Sequence, residues 1–185
     1  CIRDRVPIDW YVQAISSGLG VYGVDKGAKE LMALGKLAYL PHLLCVQQES
    51  CSPQVKAWKE QAEVISDRHI VHQPQGIAKA ILRGNPSRAY PYMRKIVQES
   101  AGDFTAVSDR EIRETQQLVQ DLEGIEICFA SSAAVAGLIK SVHSGRISPQ
   151  DCVLISLTGR DRHNEPVPDD VTFLEKDQWE KATSH

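Results

Sequence analysis

Trp10-Tyr11-Val12-Gln13-Ala14-Ile15-Ser16-Ser17-Gly18-Leu19-Gly20-Val21-Tyr22-Gly23 decides the fold. The apolar run from Trp10 to Ile15 reads as a buried strand. It breaks into Ser16-Ser17-Gly18-Leu19-Gly20, after which Val21, Val24, Ala28 and Leu31 take up a helical period. A strand that passes through small residues into a helix start is the way α/β proteins build an anion site. The first helical N–H groups have no partner within the helix, and the helix dipole adds partial positive charge there. Glycines let the backbone approach a phosphate closely, and the two serines add hydroxyl donors. The same kind of turn also serves close helix-to-sheet packing, so two readings stand: phosphate binding and packing.

Known fingerprints fit the stretch poorly. Gly18-Leu19-Gly20-x-x-Gly23 has dinucleotide-loop spacing, but the region some twenty residues on, from Ala38 to Cys45, offers no acidic residue for a ribose until Glu49. There is no Gly-Lys-Ser/Thr sequence, and Lys26 lies too far from the glycines for a P-loop.

Working outward, helical periodicity runs from Val21 to Leu40 and halts before Pro41. Leu43 to Gln47 forms a second strand, and Pro53 begins a helix whose apolar face is Val55, Ala57 and Trp58. The prolines between Gln73 and Pro91 mark an irregular segment with a short helix at Ile77 to Leu82; Tyr90 to Ser100 is again helical. Phe104 to Val107 reads as a strand. Ser108-Asp109-Arg110-Glu111 is a capping box opening a helix that Gly124 ends. Ile125 to Phe129 reads as a further strand, followed by Ser131 and Ser132 capping a helix of small residues that Gly145 closes. Cys152 to Leu157 is the last strand and runs into Thr158-Gly159. Strands alternating with helices predict an α/β fold: a parallel twisted sheet with helices on both faces, three layers deep.

The 185 residues suffice for one domain, and the net charge of −3 makes no electrostatic case for nucleic acid or an anionic membrane. No apolar run approaches the roughly 18 residues of a membrane span. Five scattered cysteines suit reduced thiols in a cytoplasmic protein. Metal binding is not expected: His69 and His72 lack a third ligand, and Cys45-x5-Cys51 is not a metal knuckle. Ligands of open parallel sheets collect beyond the carboxyl ends of the strands. Three small-residue junctions fall there: Ser16 to Gly20, Ala130 to Ser132, and Thr158-Gly159. They outline a polar-rimmed pocket with no evident general base or nucleophile.

Four stretches, in order, give the chain a family resemblance. These are Ser16 to Gly20 with Lys26-Gly27 and Glu30-Leu31; Ala80-Ile81-Leu82-Arg83-Gly84-Asn85-Pro86; Ala130 to Gly137; and Leu157-Thr158-Gly159. Together they resemble the C-terminal half of threonine synthase-like enzymes of the pyridoxal-phosphate fold type II group. The resemblance implies that Ser16, Ser17, Gly18, Leu19 and Gly20 bind the phosphate of pyridoxal 5′-phosphate. It implies that Thr158 hydrogen-bonds the pyridine nitrogen, and that Ser131, Ser132 and Asn85 rim the substrate pocket. A neutral hydroxyl at that nitrogen suits β- or γ-replacement and elimination.

The implied substrate is a small phosphorylated amino acid and the implied assembly a homodimer. Cysteate synthase, which adds sulfite to phosphoserine, is the alternative within the family; a non-catalytic nucleotide- or phosphometabolite-binding module is the alternative outside it. The chain departs from the pattern in three places. Its loop is poorer in glycine and asparagine, Arg160-Asp161-Arg162-His163 replaces a glycine-rich continuation, and Phe129 stands where glutamate is common. The family's Schiff-base lysine lies in the N-terminal half, so the expectation is that the catalytic lysine comes from that half or from a partner chain.

Overall fold

The strand β1, Trp10–Ala14, lies inside a four-stranded sheet in the computed structural model, which describes residues 7–162 and Pro166. It pairs in parallel with β2, His42–Gln48, on one side and with β4, Val153–Ile155, on the other. β3, Asp103–Val107, adds in parallel to β2, giving the order β3-β2-β1-β4. Successive side chains of a strand point to opposite faces. Trp10, Val12, Leu44, Val46 and Val107 therefore build one core, and Tyr11, Leu43, Cys45 and Phe104 the other. Burial on both faces is why these strands read as continuous apolar runs.

On the second face lie α1, Leu19–Ala33, α2, Pro53–Lys59, and α3, Tyr90–Glu99, which contribute Val21, Val55, Met93, Ile96 and Val97. The opposite face is covered by α4, Asp109–Glu123, and α5, Phe129–His143, through Ile112, Ala133, Ala134 and Ala136. The expected three layers are present. The capping box also forms: Ser108 Oγ accepts from the Glu111 N–H, and Glu111 Oε2 accepts from the Ser108 N–H at 2.7 Å. The small residues of α5 bring its backbone against the sheet, since a Cβ on Gly137 would collide with the Val46 side chain.

Several elements differ from the sequence reading. α1 stops at Ala33 rather than Leu40, because Gly35 takes the left-handed conformation (φ 65°) and turns the chain. The Lys36 N–H then donates to the Leu31 carbonyl, the return bond of a glycine-terminated helix. Ile125 to Phe129 is not a strand. Only Ile127 makes an isolated antiparallel bridge, to Arg160, and Phe129 already belongs to α5 beneath the Arg113 guanidinium. Ser131 and Ser132 therefore sit in the first turn of α5, and Cys128 takes the cap position. The helix expected at Ile77 to Leu82 shrinks to a 3₁₀ turn at Lys79–Ile81. β4 keeps three residues of the six expected, although the Ser156 N–H still reaches the Val12 carbonyl.

Candidate functional site: the crevice beyond β1 and β4

From β1 the chain steps through β2 to β3, then returns to lay β4 on the far side of β1. The first two crossovers use helices on one face and the return uses α4 and α5 on the other. The strand order thus reverses between β1 and β4, the point where open α/β sheets bind ligands beyond their carboxyl ends. Val12 stands beside Ile155 in the register, so the segments after both strands leave by the same edge. Ser16 to Gly20 and Thr158 therefore follow neighbouring strands.

The bend after β1 is built from inside the fold. Gly18 is the residue before α1 and adopts φ 99°, a left-handed geometry that costs other residues about 1–2 kcal/mol. A Cβ there would also strike the Met93 side chain, and one on Gly20 would lie 2.5 Å from Gln13 Nε2. No side chain caps the helix start. The loop's carbonyl groups, by contrast, are held: Gln54 Nε2 donates to the Ser16 oxygen at 3.0 Å and toward the Ser17 oxygen at 3.5 Å. Gln54 is fully buried, and its own N–H and that of Val55 donate to Gln47 Oε1. Gln47 thereby caps α2. Two buried atoms of this pair, Gln47 Nε2 and Gln54 Oε1, lack a protein partner. A buried polar atom without a protein partner calls for a water, an ion or a bound group to satisfy it.

Gln48 ties the same end of β2 to the next segment, accepting from the Ala78 N–H at 2.8 Å and donating to Ser50 Oγ at 2.6 Å. None of these three glutamines was singled out from sequence. Polar Gln47-Gln48 closing an otherwise apolar strand was the available signal.

Ser16 and Ser17 are half-buried, Gly18 is buried, and Leu19 and Gly20 are exposed. Ser17 borders two cavities. One, of about 240 Å³, is completed by Gly18, Leu19, Tyr22, Tyr92 and Met93. The other, of about 640 Å³, also holds His72, Arg83, Asn85 and Arg88. Ser17 and Asn85, distant in sequence, thus meet at one cleft. Asn85 fixes its own turn there, its Oδ1 accepting from the Ser87 N–H at 3.1 Å.

The bend after β4 is held differently. Ser131 Oγ accepts from the Gly159 N–H at 3.1 Å and lies 3.2 Å from its carbonyl oxygen, to which the Cys128 N–H also donates. Gly159 packs so closely on Cys128 Sγ that a Cβ would not fit. Thr158, exposed, is carried on this clamp. Ser131 and Ser132 are buried, and the Ser132 hydroxyl donates to the Cys128 carbonyl. Thr158 borders neither of the two cavities that Ser17 borders.

Alternative chemistry finds no centre nearby. Among the described residues no group of three His, Cys, Asp or Glu could hold a metal. His69 is buried between Ser66 and Glu60, whereas His72 is exposed. The hydrogen bond from His69 holds the Glu60 carboxyl below its usual pKa. Burial pushes the Cys45 and Cys51 thiols up, which makes them inert. No described lysine borders either cavity; Lys26 pairs with Glu30, and Lys29 with Asp25 and Glu99. No helix among the described residues is long and apolar enough to cross a membrane.

A strand-to-helix bend with an uncapped helix start on a doubly wound sheet, beside the Thr158 bend on the neighbouring strand, is the geometry on which the comparisons with known proteins bear. The chain belongs to the pyridoxal-phosphate dependent enzyme family, whose model matches residues 2–159. It is 36% identical over 155 residues to a threonine synthase from Methanosarcina acetivorans, covering 84% of this chain and 37% of that one. It is 31% identical over 157 residues to a cysteate synthase from Methanospirillum hungatei, covering 82% and 37%. The chain thus spans a little over a third of the length of these relatives.

Among solved structures, maize serine racemase superposes with a TM-score of 0.67 at 13% identity, covering 98% of this chain and 48% of that one. A fungal L-serine ammonia-lyase from Rhizomucor miehei gives 0.66 at 15% identity, covering 86% and 47%. These likenesses concern the fold, and both confirm the expected parallel α/β architecture. The cofactor that defines the family is pyridoxal phosphate.

Proposed function

We propose that this chain is the C-terminal portion of a cytoplasmic, homodimeric threonine synthase-like lyase that converts O-phosphohomoserine to threonine with release of phosphate. The supporting observation is that the capless, glycine-built bend after β1 and the Thr158 bend after β4 follow adjacent strands at the reversal of strand order. The site's features fit the cofactor: uncapped helix amides and two serine hydroxyls suit a phosphate, and Gly18 leaves no side chain in its way. Two orphaned buried amide atoms lie on the glutamines behind the loop.

In this reading Ser16 to Gly20 hold the phosphate and Thr158 donates to the pyridine nitrogen without protonating it. Ser131 positions Thr158 by clamping Gly159, and Asn85 faces the substrate across the cleft. When bound, pyridoxal phosphate supplies an electron sink for bond cleavage at the amino acid's carbons. The catalytic lysine is contributed by the N-terminal half or a partner chain.

A cysteate synthase reaction, phosphoserine and sulfite giving cysteate and phosphate, is the second reading, supported by the 31% identity to such an enzyme. The chain joined to its N-terminal half decides between them. Phosphate release from O-phosphohomoserine alone supports the first, and sulfite-dependent release from phosphoserine the second. No absorption band of lysine-bound pyridoxal, together with tight nucleotide binding, overturns both.

A further inference from the structure

The 640 Å³ cleft beside Ser17 carries a charge pattern that the cofactor loop does not explain. Of the residues bordering it, Arg83 and Arg88 are cationic, His72 can become so, and none is acidic. Every other described arginine is engaged. Arg68 pairs with Glu60, Arg110 with Glu114, and Arg160 with Glu126. Arg94 donates to Gln98, Arg113 lies over Phe129, and Arg146 reaches the Ala101 carbonyl. Arg162 also has a partner.

Among the described residues Arg83 and Arg88 are the arginines whose side chains have no hydrogen bond, ion pair or ring contact. Both are exposed toward one cleft, and the backbone beneath them is fixed. Gly84 packs against the Val71 backbone, where a Cβ would not fit, and its carbonyl accepts from the Val71 N–H at 3.0 Å. The Asn85–Ser87 turn then sets the path from Arg83 to Arg88. Guanidinium groups bind tetrahedral oxyanions through paired donors, and two on a rigid turn lose little freedom in doing so.

We infer that Arg83 and Arg88 form an oxyanion subsite next to the cofactor loop. It takes the substrate's own tetrahedral anion, a phosphate ester or a sulfur oxyanion, separately from the cofactor phosphate. This inference rests on the proposal that Ser16 to Gly20 hold the cofactor.

The test titrates inorganic phosphate into the chain joined to its N-terminal half and loaded with pyridoxal 5′-phosphate, at constant chloride, by calorimetry. In the double variant R83Q/R88Q phosphate should bind about tenfold more weakly, with R83K/R88K falling between it and the wild type. The affinity for pyridoxal phosphate should change less than about twofold, and the thermal midpoint should stay unchanged. Undiminished phosphate binding in R83Q/R88Q overturns the subsite. An equal loss of pyridoxal phosphate affinity also overturns it, by assigning the arginines to the cofactor. Tighter binding of phosphate than of sulfate identifies a phosphate ester as the occupant, and the reverse identifies a sulfur oxyanion. Should the chain joined to its N-terminal half fail to retain pyridoxal phosphate, the cofactor reading falls. The same phosphate titration of the unloaded chain then still decides for or against the arginines.

Discussion

The bends that follow β1 and β4 lie on neighbouring strands yet are stabilised in opposite ways. After β1 the backbone carbonyls are gripped by a buried amide from α2, while the helix amides carry no side-chain cap. After β4 the amide and carbonyl of Gly159 are both satisfied by the start of α5. One bend keeps donors available, and the other uses its donors to hold a side chain, Thr158, in place. Binding an anion requires the first arrangement, since a capped helix start has fewer amides to offer. Presenting a single hydroxyl requires the second, because an exposed residue is only as well placed as the backbone beneath it.

Substitutions can break this contrast, beginning with the largest effect. Gly18→Val meets both the left-handed backbone and Met93, with left-handed strain of about 1–2 kcal/mol and overpacking of about 1–3 kcal/mol. Pyridoxal phosphate retention, read by dialysis and absorbance, should be lost, and adding Met93→Ala should restore stability but only part of the retention. Gln54→Leu removes the amide held on the partly buried Ser16 and Ser17 carbonyls, at about 1 kcal/mol. It should lower the melting point and weaken cofactor binding together, whereas a loss of stability with unchanged binding would show that the loop does not depend on its buried tether. Ser131→Ala removes the Gly159 contacts, at about 1 kcal/mol. Cofactor retention should persist while the cofactor spectrum shifts in the same direction as in Thr158→Val; no shift in either would separate Thr158 from the ring.

The capping box of α4 provides a reference away from both bends. Ser108→Ala should cost about 1 kcal/mol with no change in cofactor binding. Glu111 adds a pH dependence of known sign. Burial alone would raise its pKa, but hydrogen bonds from the Ser108 N–H and hydroxyl and the charge of Lys140 outweigh that, and the net result is lowered below 4.5. A depressed folded-state pKa stabilises the protein above the unfolded value, and that share is lost as pH falls through the folded one. Melting points measured from about pH 6 down to about 3 should therefore fall less steeply in Glu111→Gln than in the wild type.

What could be read from sequence follows from the range of the interactions involved. The capping box at Ser108, Pro53 at the start of α2 and the left-handed Gly124 ending α4 are local, and each was legible. The early end of α1 was missed because Leu37 and Ala38 continue the apolar period, while the decision belongs to the conformation of Gly35. The supposed strand at Ile125 failed because its pairing stops at one antiparallel bridge, Ile127 to Arg160, before α5 begins at Phe129. At the site, the glycines and Thr158 were visible as small residues at strand ends. Gln47 and Gln54 were not, since a buried glutamine and a surface one are alike until the fold brings the carbonyls of Ser16 and Ser17 within reach. Ser131 and Ser132 were read as a helix cap, and that reading turned on where α5 begins, a matter of one turn.

The contact of Gly137 with Val46 has a consequence well beyond its own location. At that point the α5 backbone comes closest to the sheet, between the flanking contacts of Ala133, Ala134 and Ala136, and its front end carries Ser131 and the Gly159 clamp. A methyl group there would meet Val46 and Thr105, so Gly137→Ala would have to move the helix that carries Ser131 or the strand beneath it. A residue with no polar atom of its own beyond the backbone is thereby part of what keeps the Gly159 clamp in place.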